Sequence, residues 1–238
     1  MKIKLGRKKD KANTEMRTET ISDKSKFAIV ESYKAARTNI MFSLSADDKK
    51  IFAVTSYSKG EGKSTVSSNL AISFSKMENR VLLVDCDLRR PNLHNIFKVD
   101  NEQGLSNVIG KMGDFDEALH KNVLPNLDIL TSGTIPPNPS ELLCSQRFID
   151  LVKRLQEEYD YVIFDTPPVG VVADALLLKD LVAGFVVVLR ERSTTHGDIQ
   201  NLLESAKLAD CKLLGFIKVG CTSNKKRSKR GYYYYQYY

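Results

Sequence analysis

Five short runs, IFAVT (51–55), VLLVD (81–85), LDIL (127–130), YVIFD (161–165) and FVVVL (185–189), are apolar at nearly every position. A strand with one wet face alternates apolar and polar residues. A run that is apolar throughout has to be buried on both faces, which a parallel sheet achieves when helices cover it above and below. Helical patterns do fall between the runs: around Val66 to Met77, near Glu141 to Glu158, and near Gly197 to Ala209, with a sixth strand, LLGFI (213–217), after the last. Ahead of them, SKFAIVESYKAARTNIMFSL places Ile29, Tyr33, Ala36, Ile40 and Leu44 at helical spacing. The expected fold class is α/β, a parallel sheet with helices on both faces and no internal repeat. Ligands of such sheets sit beyond the carboxyl ends of the strands, so the informative residues are those directly after each run.

The first run is followed by SYSKGEGKST. Its core, Gly60, Glu61, Gly62, Lys63, Ser64 and Thr65, ends as a phosphate-binding loop ends. Small residues let backbone N–H groups approach phosphates, Lys63 reaches the β and γ oxygens, and Ser64 can ligate Mg²⁺. Val66, Leu70, Phe74 and Met77 then mark one face of the following helix. Strand, loop and helix in this order specify a nucleotide, ATP with Mg²⁺, in a phosphate-loop NTPase-like fold. One departure is Tyr57, five before Gly62, where the general pattern has its first glycine. After the second run, Asp85 and Asp87 are two carboxylates that one loop can turn toward one metal; an ordinary turn with a capping aspartate is the plainer alternative. Asp165 ends another buried strand, and its expected role is to hold a water of the metal shell.

At 238 residues and 42% apolar content the chain can bury one good core. We expect one domain, residues 26–221, between a flexible basic arm (1–25) and a basic tyrosine-rich tail (222–238). The longest uncharged apolar run, Leu181 to Leu189, is too short to span a bilayer, and the charged N-terminus lacks the apolar stretch of a signal peptide. A cytoplasmic protein is expected. The formal charge is +7, yet residues 1–26 and 222–238 carry +5 each, which leaves the body at −3. A slightly acidic body argues against nucleic acid as a partner. Cys86, Cys144, Cys211 and Cys221 form no metal-binding or disulfide pattern, and His94, His120 and His196 form no motif.

GEGKST, LLVDCDLRRP, FDTPP, the segment TSGTIPPNPSELL (131–143) and the terminal YYYYQYY together resemble the bacterial tyrosine kinases of capsule and exopolysaccharide synthesis, the CpsD/CapB family. The likeness runs from about Ser25 to the end. It implies ATP held by Lys63, Mg²⁺ bound by Ser64 and surrounded by Asp85, Asp87 and Asp165, and Asp87 as the base toward an incoming tyrosine hydroxyl. It also implies that Tyr232, Tyr233, Tyr234, Tyr235, Tyr237 and Tyr238 are autophosphorylation sites modified by a neighbouring subunit. Seventeen residues of tail can stretch to roughly 55 Å at about 3.3 Å each, far enough to reach that neighbour. Basic residues 225–230 are expected to guide the tail toward an acidic rim.

The family's subunit-joining motif falls on Glu31, Lys34 and Arg37, with Lys34 where its first arginine stands. Lysine lacks the planar fork that makes bidentate contacts. The likeness implies a homo-oligomer, a ring in the family, with Lys34 weakening the joint; it also implies a membrane-anchored activator, protein tyrosine substrates and a tyrosine phosphatase, and places the protein at the membrane periphery through the activator. Lys59 and Val219 depart from the family's proline and purine-side asparagine. The competing readings are an ATPase that positions division sites or plasmids, in which a lysine occupies the place of Ser58, and a non-enzymatic adaptor that uses ATP only to assemble.

Overall fold

The computed structural model describes residues 20–22, 25–44 and 50–221; the arm before residue 20 and the tail 222–238, with its six tyrosines and residues 225–230, lie outside the described residues. Seven strands form one sheet in the order β3-β4-β2-β5-β1-β6-β7. They are β1 (Ile51–Ser56), β2 (Val81–Asp85), β3 (Leu119–Leu124), β4 (Leu127–Leu130), β5 (Tyr161–Asp165), β6 (Phe185–Arg190) and β7 (Leu213–Val219). All neighbours pair in parallel except β3 with β4, which run antiparallel.

The apolar runs work as two-sided strands. In β1, Ile51 and Ala53 face one core while Phe52 and Val54 face the other; in β2 the same division separates Leu82 and Val84 from Val81 and Leu83. The first core is covered by α4 (Leu105–Ile109), α5 (Phe115–Ala118), α6 (Pro139–Leu143) and α7 (Gln146–Glu158). The second is covered by α1 (Phe27–Leu44), α2 (Lys63–Ser75) and α3 (Leu93–Phe97). A turn of 3-10 helix, Ala173–Leu178, and α8 (His196–Leu208) complete the fold. No helix among the described residues is long and apolar enough to cross a membrane.

Three features depart from the sequence reading. Strand β3 was not expected, because LHKNVL puts His120, Lys121 and Asn122 toward solvent and a register shift between His120 and Leu124 breaks its period. A charged, bulged edge strand of this kind resists pairing with other chains. The single helix expected from Glu141 to Glu158 is two helices. The first ends at Leu143 with Cys144 as its C-cap, and Ser145 caps the second by accepting the Phe148 amide at 3.3 Å; α7 then buries Phe148, Leu151, Val152 and Leu155 on one side. Helix α2 stops at Ser75, so Met77 lies beyond it and is exposed. It has no polar face because it is packed all round; Ser67 and Ser68 satisfy their buried hydroxyls by donating to the Ser64 carbonyl one turn back.

Candidate active site

The loops after β1, β2 and β5 and the end of β6 enclose a cavity of about 580 Å³, within the range of small-molecule sites. Gly60, Gly62, Lys63, Ser64 and Thr65 form its floor, Asp87, Arg89 and Arg90 one wall, Pro167, Pro168, Val171 and Val172 another, and Lys59 and Arg190 its rim. A hollow of about 270 Å³ by Lys50, Arg80 and Tyr159 lies at the opposite ends of the strands and brings none of the motif residues together.

Gly62 takes φ +94° and stands immediately before α2, whose first free amides therefore open onto the floor. Lys63 follows it. Its ammonium is 2.8 Å from Asp87 Oδ2, 4.0 Å from Asp165 Oδ2 and 3.5 Å from the Ser64 hydroxyl. Burial pulls the lysine pKa down, but the charges of Asp165 and Asp87 outweigh it and hold the group above its ordinary value. Asp87 is also tied by its other oxygen to the Arg90 amide at 3.0 Å.

The three acids have different tasks. Asp85 accepts backbone amides from Asp87 (3.1 Å), Asn92 (2.9 Å) and Leu93 (3.0 Å), so its carboxylate shapes the loop and the start of α3. Asp165 is wholly buried, and neither of its oxygens makes a hydrogen bond, although the Ser64 and Ser67 hydroxyls are beside it. Orphaned buried oxygens next to a serine hydroxyl fit a hard cation. Within the expected ligand set of Ser64, Asp85, Asp87 and Asp165, Ser64 and Asp165 are the least engaged by other partners, whereas Asp85 accepts backbone amides and Asp87 meets Lys63. Mg²⁺ bound by a phosphate loop usually keeps several waters and takes further ligands from the phosphates.

Asp85 and Asp165 are cross-strand neighbours in the β2–β5 pair. Burial and the Asp165 charge push Asp85 from 3.8 up to about 7, and burial raises Asp165 although Lys63 pulls the other way. Between those values the folded chain keeps a proton that the unfolded chain has released, so stability is lost as pH climbs from about 4 to about 7. In chelator and without nucleotide, the melting temperature should fall between about pH 5 and about pH 8 by more in the wild type than in Asp165→Asn. An equal fall in both would remove the acid pair as the cause.

Other residues singled out in the sequence find partners of their own. Glu61 does not line the cavity: it is fully buried, accepting from the Ser58 amide and the Thr194 hydroxyl. Tyr57 leaves the cavity clear, since its hydroxyl accepts from Asn201 at 3.2 Å and its ring lies against Gly170. Val219 packs against Gly62, one of its methyl groups 3.7 Å from where a Gly62 Cβ would stand, and does not line the cavity. The charged residues lining the cavity are mostly basic, Lys59, Lys63, Arg89, Arg90 and Arg190 against Asp87, so the lining itself is not the acidic rim expected to attract residues 225–230. Glu31 and Lys34 pair with each other at 2.8 Å and Arg37 donates to the Ser73 carbonyl of α2, contacts within one chain that neither support nor oppose a joint between subunits. None of His94, His120 and His196 reaches the site.

Sequence reading missed Arg89, which holds the buried Asp174 through two bonds of 2.7 and 3.2 Å and the Ser140 hydroxyl at 3.1 Å. The clue was in TSGTIPPNPSELL, whose Ser140 completes that network by donating to Asp174 at 2.8 Å. Arg190 and Thr194 carried no signal at all.

Known proteins decide what kind of enzyme uses such a pocket. The tyrosine-protein kinase YwqD of Bacillus subtilis is 40% identical over 85% of this chain and 85% of its own length. The chain belongs to the bacterial tyrosine-protein kinase family. A second member, CpsD of Streptococcus agalactiae, is 35% identical over 79% of this chain and 81% of its own. The crystal structure of the chimerical protein CapA2B2 superposes on this kinase-family fold with a TM-score of 0.79 at 35% identity, covering 82% of this chain and 86% of that one. A family model described as an AAA domain matches residues 49–212, which include every loop of the cavity.

Proposed function

We propose that this chain transfers the γ-phosphoryl group of ATP to tyrosine hydroxyls, chiefly those of its own C-terminal cluster on a neighbouring copy. The observation that carries the reading is that Lys63, on the cavity floor, meets Asp87 of the wall and the buried Asp165 beneath it. Phosphoryl transfer asks for charge neutralisation and in-line positioning more than for covalent help, and this cluster supplies both. A triphosphate entering the cavity competes with Asp87 for the Lys63 ammonium. Once Lys63 turns to the β and γ oxygens, Asp87 is left with the Arg90 amide and can accept the phenolic proton. Mg²⁺, held by Ser64 and through water by Asp165, would neutralise the phosphate oxygens as charge moves. The basic rim favours entry of the polyanion.

The body offers few competing acceptors. Of its four tyrosines, Tyr33 is bonded to Asn69, Tyr57 to Asn201 and Tyr159 to Asp128, and Tyr161 is buried. That leaves Tyr232, Tyr233, Tyr234, Tyr235, Tyr237 and Tyr238 as the favoured substrates. On family likeness, a membrane-anchored activator, ring assembly through the first helix, a cytoplasmic location at the membrane, an opposing phosphatase and a role in capsule or exopolysaccharide synthesis belong to the same proposal. So does the division into an arm (1–25), a kinase domain (26–221) and a tail (222–238).

Incubation of the purified protein with Mg-ATP, with and without the activator's cytoplasmic tail, should label tyrosine and be strongest with both. ATP hydrolysis with no phosphotyrosine would favour a spatial-organising ATPase, and nucleotide-dependent oligomers alone would favour an assembly adaptor.

A further inference from the structure

A carboxylate in a phosphate-binding loop is out of place unless something keeps it away from the phosphates. Glu61 is 0% exposed, and its oxygens are taken by the Ser58 amide at 2.9 Å and by the hydroxyl of Thr194, far along the chain in the β6–α8 connection. Thr194 accepts in turn from the Arg190 amide at 2.8 Å, and the Arg190 guanidinium donates to the Gly60 carbonyl at 3.2 Å. Both ends of this bridge are anchored. Arg190 is the last residue of β6, and Thr195, next to Thr194, caps α8 through reciprocal bonds with Asp198 of 3.1 and 2.8 Å.

The loop needs such an anchor. Gly60 and Gly62 sit at φ +80° and +94°, a region glycine enters easily but leaves as easily. Amides that are to converge on phosphates gain from being held beforehand. A Glu61 released from its bridge would also place a negative charge beside an anionic ligand.

We propose that Thr194 is a positioning residue for nucleotide binding. Its hydroxyl, acting through Glu61, holds the 58–62 backbone in its phosphate-cradling shape and keeps the Glu61 charge turned away. The inference rests on the cavity being the nucleotide site.

Calorimetric titration with Mg-ADP tests it without relying on kinase activity. Thr194→Val should weaken binding about tenfold or more, the effect of losing a hydrogen bond to a charged group, while Thr194→Ser stays within about threefold of wild type. Glu61→Ala should show the same loss, and Thr194→Val placed on that background should add nothing, because the two side chains act as one unit. In turnover, KM for ATP should rise in Thr194→Val with kcat within about twofold. Melting curves check each variant, and Glu61→Ala carries the test if Thr194→Val does not fold. Wild-type affinity in Thr194→Val, failure of the serine to rescue, or additive losses in the double variant would overturn the bridge alone. A wild-type protein that bound no Mg-ADP would overturn the nucleotide site and the bridge with it.

Discussion

Lys63→Met is expected to lower phosphotyrosine formation by about a hundredfold or more, the scale of removing one charged contact from a reacting centre. Lys63 is the cation between Asp87 at 2.8 Å and Asp165 at 4.0 Å, so methionine removes the partner of the triphosphate and of two buried acids together. Leaving a buried charge without its partner costs on the order of 3–5 kcal/mol, and protonation of the Asp85–Asp165 pair offsets part of that. The variant should therefore melt nearer the wild type at about pH 5.5 than at about pH 8. Comparing rates at the lower pH, where both proteins are folded, separates lost chemistry from lost structure. Labelling within about tenfold of wild type in a folded Lys63→Met protein would contradict the assigned role.

Replacing all six tail tyrosines by phenylalanine is expected to remove nearly all autophosphorylation while Mg-ATP affinity stays within about twofold. The expectation follows from the acceptors that remain. Tyr33, Tyr57 and Tyr159 commit their hydroxyls to Asn69, Asn201 and Asp128, and Tyr161 packs at 4.6 Å from the Phe74 ring. Burial raises the pKa of Tyr33 and Tyr161, and burial with the Asp128 bond raises that of Tyr159 well above its ordinary value. Tyr159 and Tyr161 would need local unfolding to serve as acceptors, Tyr33 would have to leave its half-buried place beside Asn69, and Tyr57 would have to leave its exposed bond to Asn201. Phosphopeptide mapping that found most of the label on body tyrosines would contradict the tail assignment.

The sheet was legible because two-sided burial leaves a simple mark: IFAVT, VLLVD, LDIL, YVIFD and FVVVL became β1, β2, β4, β5 and β6. The phosphate loop was legible because its geometry demands particular residues at consecutive positions. Strand β3 escaped because an edge strand is half wet, and its bulge removes the alternation that would mark it. The acids were legible as a group but not in their roles. Asp85 and Asp87 look alike in sequence, and only the path of the following loop decides that one carboxylate receives three amides and the other receives Lys63. Glu61 looked like part of the cradle because it lies between two glycines that are. Its actual partner, Thr194, is brought to it by the pairing of β6 beside β1, and no local pattern announces a contact 133 residues away.

Mixing two complementary variants measures the account's main claim most directly. One carries Lys63→Met with its tyrosines intact, and the other carries the six phenylalanines with its catalytic loop intact. Neither should label itself, whereas together in Mg-ATP and activator they should phosphorylate the tail of the Lys63→Met protein. A silent mixture, with both proteins folded and the wild type active beside them, would show that the tail is not passed from one copy to another.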